Sequence, residues 1–232
     1  MDYSSDYPVR KGWIILDMTF STGYGFAMDT IRAIIFDWGG VLIENPGPGL
    51  MKYCAETFEV STEEYTKAHD KFATDFQKGQ VSEPKFWELV CGELNISVPE
   101  KSSLWSEAFK SVCVPRAEMF ELCRSLQRSG YKTAVLSNTE LPAVKYFRQQ
   151  EYDMFDVTVF SCEEGTAKPE HMVYELTLQR LCAKPSEAVF FDDKPECIAG
   201  AEKAGLHAFL FENISRAKDE LTRLCVKVKS IR

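Results

Sequence analysis

The sequence predicts an α/β protein with a parallel sheet and one inserted helical segment. An unbroken apolar run, Ala33–Phe36, ends at Asp37 and a Gly-Gly pair, which is typical of a buried parallel strand followed by a turn. From residue 116 onward, short apolar runs alternate with helical patterns, which indicates parallel strands joined by helical crossovers. Residues 46–115 contain helical patterns and no convincing strand. The chain therefore predicts a sheet core interrupted by a helical insert.

The composition is that of a globular protein and argues against nucleic acid or membrane as a partner. Of the 232 residues, 45% are apolar and 27% are charged, the net charge is −8, and no concentrated basic tract is present. No apolar segment approaches the ~20 residues needed to cross a bilayer. The eight cysteines are scattered and form no CxxC pair, which favours reduced thiols in a cytoplasmic protein over a disulfide framework.

Residues 1–30 predict a leader of unclear role. An apolar run of four residues there ends at Asp17 and imitates the Asp37 segment, but no Gly-Gly turn follows it. We therefore expect Asp37, and not Asp17, to be the functional carboxylate. The run is too short for a signal peptide and lacks a small-residue cleavage site.

Each further element has a local signal. In the insert, Ser61 and Ser82 are N-cap residues followed by acids, and we expect helices over 50–58, 62–78, 83–94 and 102–109. Pro169 is expected in the first turn of the helix that runs to residue 181. The other elements predicted after residue 116 are helices over 117–129, 142–150, 195–204 and 214–225 and strands over 132–136, 157–160, 188–191 and 206–211.

Polar side chains stand at four ends of these elements, and a parallel sheet would bring them to one edge. They are Asp37, Ser137 with Asn138, Lys168, and Asp192 with Asp193. An aspartate can attack a phosphoryl group, carboxylates can hold Mg²⁺, and hydroxyl and ammonium groups stabilise phosphoryl oxygens. Each group alone also fits a turn, a helix cap or a solvated loop. Their order along the chain is the informative feature.

Four segments in this order, FDWGGVL, VLSNT, AKPE and VFFDD, resemble the motifs of the haloacid dehalogenase-like hydrolase superfamily over about residues 31–211. The resemblance implies a Rossmann-like core (31–45 and 116–232) with a helical cap (46–115), and a Mg²⁺-dependent phosphatase of small phosphorylated metabolites. It implies Asp37 as the nucleophile and Lys168 as the catalytic cation. It also implies phosphate binding by Ser137, Asn138 and Lys168, and Mg²⁺ ligands from Asp37, the Gly39 carbonyl, Asp192 and Asp193.

One position departs from the phosphatase pattern, which places a second aspartate two residues after the nucleophile as the general acid and base. Here that position is Gly39, and a missing acid/base typically costs roughly 10²–10⁴-fold in rate. Three interpretations stay open. The protein is a phosphatase for good leaving groups, such as sugar 1-phosphates or acyl phosphates; a weakly active or non-catalytic protein that binds phosphometabolites or partners; or a 2-haloacid dehalogenase. The acidic pair that follows the fourth strand disfavours the last.

Glu44 and Glu140 are candidates for supplying the missing proton, although we expect Glu44 to be a solvated hinge carboxylate. His69 and His171 are isolated histidines without an assigned role. The aromatic residues of the insert predict a small helical core, with a few rings lining a pocket that closes over Asp37. The sequence leaves the substrate and the oligomeric state open.

Overall fold

A five-stranded parallel sheet lies at the centre of the protein in the computed structural model, which describes residues 30–228. Its strands are β1 (Ala33–Phe36), β2 (Lys132–Ser137), β3 (Val157–Phe160), β4 (Ala188–Asp192) and β5 (His207–Leu210), in the spatial order β3-β2-β1-β4-β5. All four residues of β1 are buried, because two apolar clusters cover its two faces. The predicted parallel α/β sheet is confirmed.

Helices surround this sheet and form the insert. Within the described residues they are α1 (Gly47–Thr57), α2 (Thr62–Asp70), α3 (Ala73–Gln77), α4 (Glu83–Leu94), α5 (Leu104–Val112), α6 (Ala117–Arg128), α7 (Leu141–Gln149), α8 (Ser161–Glu164), α9 (His171–Leu181), α10 (Pro195–Lys203) and α11 (Ile214–Arg223). A 3₁₀ turn, Pro185–Glu187, precedes β4.

Some predicted helix bounds are wrong. The single helix expected over 62–78 is two helices, because Phe72 leaves the helical region (φ −123°, ψ −4°) and its N–H bonds to His69 O. Pro169 lies in a turn before α9 and not in its first turn. Helix α1 begins earlier than expected, inside the Pro-Gly-Pro-Gly run, where a proline near the N-terminus lacks only an N–H that has no helical partner. The short helix α8 was not predicted.

The insert, α1–α5, has an aromatic core of its own. Phe76 and Phe86 stack with ring centroids 4.3 Å apart, and Trp105 meets both rings edge-on. Glu83 joins two helices of this core, because its carboxylate accepts hydrogen bonds from Trp87 Nε1 (3.1 Å) and from the Trp105 backbone N–H (2.9 Å). Residues 46–115 form helices and contain no strand, so the predicted helical cap is confirmed. Its limits at residues 46 and 115 stay a prediction.

The cap rests on the core through the end of α3. Ser161 Oγ donates a hydrogen bond to the Gln77 carbonyl (2.6 Å), and Lys78 forms an ion pair with Glu170. Gly79 has a positive φ of 67°, and a Cβ there would lie 2.1 Å from the Cys162 carbonyl oxygen. Only glycine fits this contact without a shift of the backbone. These contacts hold the cap over the carboxyl ends of the strands.

Two further expectations concern chain segments and cysteines. Asp17 and the predicted leader, apart from Thr30, lie outside the described residues. All eight cysteines lie within them and are unpaired, as expected. In residues 30–228, no helix has both the length and the apolar character to cross a membrane.

Candidate active site

The strand order places the predicted site residues side by side. Strand β1 is central, and Phe36 is in register with Val135 of β2 and with Phe191 of β4. The Asp37 N–H then donates to the Phe191 carbonyl (2.9 Å), which extends the pairing by one residue. Asp37, Ser137 and Asp192 therefore end three adjacent strands at the same edge of the sheet, where open α/β sheets bind ligands.

Lys168 connects the carboxylates of Asp37 and Asp192. Its ammonium Nζ lies 2.8 Å from Asp37 Oδ1 and 2.6 Å from Asp192 Oδ2, and it donates to the Leu136 carbonyl at 3.0 Å. The side chain is almost completely buried. Burial lowers the pKa of Lys168, but the two facing carboxylates outweigh burial and raise the pKa above its usual value. Lys168 is therefore a fixed positive charge at the sheet edge.

Asn138 positions this lysine. Its side-chain Nδ2 donates to the Lys168 carbonyl (2.8 Å), and its Oδ1 accepts from the Lys168 N–H (2.9 Å). Both amide atoms are thus used to fix the backbone of residue 168. The predicted direct contact of Asn138 with phosphate stays a prediction, whereas its observed contacts are to the lysine that the site needs.

Asp37 and Asp193 share a partly desolvated environment. Burial raises the pKa of Asp37 to about 6, although Lys168 lowers it, and the charge of Asp192 raises it further. Burial and the neighbouring Asp192 also raise the pKa of Asp193. Without a further cation, these two carboxylates therefore hold protons more readily than exposed aspartates do.

Asp37, Asp192 and Asp193 could hold a metal ion, because one oxygen atom of each lies within 4.8 Å of the others. The oxygens of Asp192 are already engaged, one with Lys168 Nζ and the other with the Lys194 N–H (2.8 Å). In contrast, Asp193 Oδ1 is a buried acceptor to which no hydrogen-bond donor in residues 30–228 is directed. Oxygen ligands and an unpaired buried acceptor fit a hard divalent cation.

The two glycines after Asp37 have different constraints. Gly40 has a φ of +93°, and a Cβ there would lie 2.1 Å from Asp193 Oδ2, so this position requires glycine. At Gly39, a Cβ would lie 3.2 Å from Pro46 Cδ, which leaves limited room for a side chain. The Gly39 carbonyl as a metal ligand stays a prediction.

A cavity of about 150 Å³ lies between this edge and the cap. On the core side it is lined by Asp37, Ser137, Lys168 and Asp193, and on the cap side by residues that include His69, Gln77 and Trp105. The expected aromatic pocket over Asp37 is therefore present.

Trp38 and Glu140 also line the cavity, whereas Glu44 lies outside its lining. Trp38 lines it, and its buried Nε1 has no hydrogen-bond partner within the described residues. Glu140 is buried in its wall, and its role as proton donor stays a prediction. Glu44 is exposed and paired with Arg116 (2.9 Å), as expected of a hinge carboxylate. The sequence signal for the cavity residues was weak, because they are brought together only by the closure of the cap over the core.

Comparison with known proteins identifies the family. A family profile described as haloacid dehalogenase-like hydrolase matches residues 31–205. The chain belongs to this family. The matched residues include the strand ends with Asp37, Ser137, Asp192 and Asp193 and the loop with Lys168, so the haloacid dehalogenase-like assignment covers the whole candidate site.

Two sequence relatives and one similar crystal structure show which proteins this haloacid dehalogenase-like chain resembles. Acyl-CoA dehydrogenase family member 10 of Mus musculus is 32% identical over 83% of this chain, which spans only 19% of the mouse protein. Sesquiterpene phosphatase astK of Aspergillus oryzae is 27% identical over 76% of the chain and 88% of its own length. The crystal structure of a family enzyme from Bacteroides thetaiotaomicron, in complex with magnesium and inorganic phosphate, has a TM-score of 0.67 at 22% identity, covering 81% of this chain and 98% of that one.

Proposed function

We propose that this protein is a Mg²⁺-dependent phosphatase of small phosphorylated metabolites, such as sugar phosphates, and that it acts through an aspartyl-phosphate on Asp37. The supporting observation is the arrangement of a buried carboxylate, Asp37, beside the fixed charge of Lys168 and the unpaired acceptor of Asp193. This set combines a nucleophile, a charge for phosphoryl oxygens and a cation site. The phosphatase among the relatives, and the neighbour that holds magnesium and phosphate, agree with it.

In this mechanism, an Asp37 oxygen forms a bond to phosphorus while the bond from phosphorus to the leaving-group oxygen breaks. The electron pair of the broken bond stays on the leaving-group oxygen. Lys168 and Ser137 stabilise the phosphoryl oxygens. Water then attacks the phosphorus, the bond to Asp37 breaks, and inorganic phosphate and the free carboxylate are released. Mg²⁺, held by Asp37, Asp193, the Gly39 carbonyl and Asp192, would neutralise phosphoryl charge.

The first prediction concerns the leaving group. Gly39 cannot donate a proton to the leaving group. We therefore expect turnover to fall from acetyl or para-nitrophenyl phosphate to propyl phosphate by roughly 10²–10⁴-fold more than the uncatalysed hydrolysis rates of these compounds differ. Release of inorganic phosphate with Mg²⁺ measures this series. A flat series would show that another residue, with Glu140 as the first candidate, supplies the proton.

The second prediction concerns metal and pH. Because burial raises the pKa of Asp37 to about 6 and that of Asp193 above its usual value, protons compete with Mg²⁺ in acid. We expect Mg²⁺ to raise the melting temperature clearly at about pH 8 and hardly at all at about pH 5. Differential scanning fluorimetry with and without Mg²⁺ measures this shift. Asp193→Asn should lose most of it at the higher pH, and an equal shift at both values would contradict the proposed metal site.

A non-catalytic protein that binds phosphometabolites is the second candidate, and Gly39 is the observation that favours it. In that case a phosphate ester would raise the melting temperature although no phosphate is released from any ester in a panel. The dehalogenase interpretation is weaker, because the unpaired Asp193 acceptor indicates a cation site. Release of chloride from 2-chloropropionate without metal would revive it.

We also propose a cytoplasmic location. All eight cysteines are unpaired, and Cys182 and Cys225 are exposed. Exposed thiols persist in reducing compartments.

A further inference from the structure

The cavity wall opposite the cap contains a buried carboxyl group that the proposed chemistry does not use. Glu140 follows Ser137 by three residues, is 5% exposed, and lines the same cavity as Asp37. It lies outside the group of three aspartates that could hold the metal. A buried carboxyl group without a function would be a costly feature, since its acceptors need donors.

Groups from the cap fix the orientation of this carboxyl. Trp105 Nε1 donates to Glu140 Oε2 at 3.1 Å, and the ring of His69 stacks on Trp105 with centroids 5.6 Å apart and planes 4° apart. Burial raises the pKa of Glu140, although a hydrogen bond with Gln77 and the nearby His69 lower it. The backbone of Gln77 is itself tied to the core, because its main-chain carbonyl accepts from Ser161 Oγ. The carboxyl therefore has a defined place where the cap meets the core.

Glu140 retains capacity for a ligand. A carboxylate offers about four acceptor positions, and the bonds with Trp105, Gln77 and the backbone N–H of Glu140 itself leave part of that capacity unused. Glu140 lies in the wall of the cavity. The organic part of a phosphate ester bound at Asp37 must lie in this cavity, next to the unused acceptor positions of Glu140. A hydroxyl group of the ester is a donor that suits such an acceptor.

The size of the cavity limits that organic part. Its volume of about 150 Å³ is about that of a protein cavity that accommodates one benzene molecule. A phosphoryl group occupies some of this space, so only a short organic group fits the remainder.

We infer that Glu140, oriented by Trp105, is a specificity-determining residue that binds a hydroxyl group in the leaving group of a short, hydroxylated phosphate ester. The inference rests on the proposed phosphatase function and adds to it the residue that recognises a hydroxyl group of the substrate. Trp105 acts here as a positioning residue, since it holds the carboxyl and shapes the cavity.

A pair of acyl phosphates that differ by one hydroxyl group tests this inference. Lactoyl phosphate and propionyl phosphate have the same chain length. Their leaving groups, lactate and propionate, depart without help from a proton donor. We expect the wild-type protein with Mg²⁺ to favour lactoyl phosphate in kcat/KM by roughly 10- to 100-fold, mainly through KM, the range for a hydrogen bond to a charged group.

Two variants assign this preference to the carboxyl. Glu140→Leu should reduce the ratio of the two kcat/KM values to near unity, because leucine fills similar space and accepts no hydrogen bond. Trp105→Phe keeps a ring but removes the N–H, and should reduce the ratio in part by raising KM for lactoyl phosphate. The ratio compares two substrates on one protein sample, so a loss of folded protein does not change it. An unchanged ratio in Glu140→Leu would overturn the inference.

Acetyl phosphate separates failure of the inference from failure of the proposed function. If the wild-type protein with Mg²⁺ hydrolyses neither acetyl phosphate nor the two longer acyl phosphates, the phosphatase proposal itself is wrong. If it hydrolyses acetyl phosphate but does not distinguish lactoyl from propionyl phosphate, only the hydroxyl site is wrong. A preference for lactoyl phosphate that Glu140→Leu abolishes supports both proposals.

Discussion

Asp37→Asn is expected to lower turnover by about 10⁴-fold or more, because an amide cannot replace the carboxylate that forms the bond to phosphorus. Phosphate release from acetyl phosphate with Mg²⁺ measures the loss. Asp219→Asn, an exposed aspartate of α11, is the matched control and should keep wild-type activity. Mg²⁺-dependent turnover retained by Asp37→Asn would rule out the aspartyl-phosphate mechanism.

The same variant has an expected effect on stability. Burial raises the pKa of Asp37 from 3.8 to about 6 in the metal-free protein, so the folded state holds this proton more tightly than the unfolded state. Ionisation of Asp37 therefore reduces the free energy of unfolding as the pH rises from about 4 to about 6, and the loss persists at higher pH. Asparagine has no such charge.

We therefore expect metal-free Asp37→Asn to melt at a higher temperature than the wild type at neutral pH and to gain less from Mg²⁺. Thermal unfolding of both proteins, with and without Mg²⁺, measures this. A lower melting temperature of the metal-free variant at neutral pH would show that the ion pair with Lys168 outweighs the cost of burying Asp37.

Lys168→Met should damage both activity and stability. Its ammonium group lies 2.8 Å from Asp37 and 2.6 Å from Asp192, and its removal leaves two buried carboxylates that repel each other. Breaking a buried ion pair on one side typically costs about 3–5 kcal/mol of unfolding free energy. Loss of the charge that stabilises phosphoryl oxygens should also lower turnover by roughly 10²–10³-fold.

Chemical denaturation and phosphate release measure these two effects. Lys110→Met is the control, because Lys110 is exposed in α5 and its replacement should change stability by less than about 0.5 kcal/mol. Mg²⁺ should restore part of the stability of Lys168→Met, since a cation at the three aspartates compensates for the lost charge. A variant as stable as the wild type without metal would contradict the charge arrangement described here.

The interior of the sheet was predictable because its signals are local. The apolar run of β1 and the alternation of strands and helices after residue 116 are properties of neighbouring residues, and the sheet confirms them. Polar groups that follow parallel strands lie at the same edge of the sheet, independently of the loop conformations. The proximity of Asp37 and Asp192 was therefore predictable from the order of the elements along the chain. The local pattern did not reveal the break at Phe72 or the turn before α9.

The sequence by itself determined the family, the parallel core, the inserted helices and the residue types at the strand ends, because motifs and hydrophobic period are encoded over a few residues. Only the tertiary structure decided which partners each of these groups contacts. It placed β1 at the centre, directed both amide atoms of Asn138 to Lys168, and left Asp193 with an unpaired oxygen. It also joined Glu140 to Trp105 across 35 positions of the chain. Such contacts depend on cap and core packing together, and no local pattern specifies that packing.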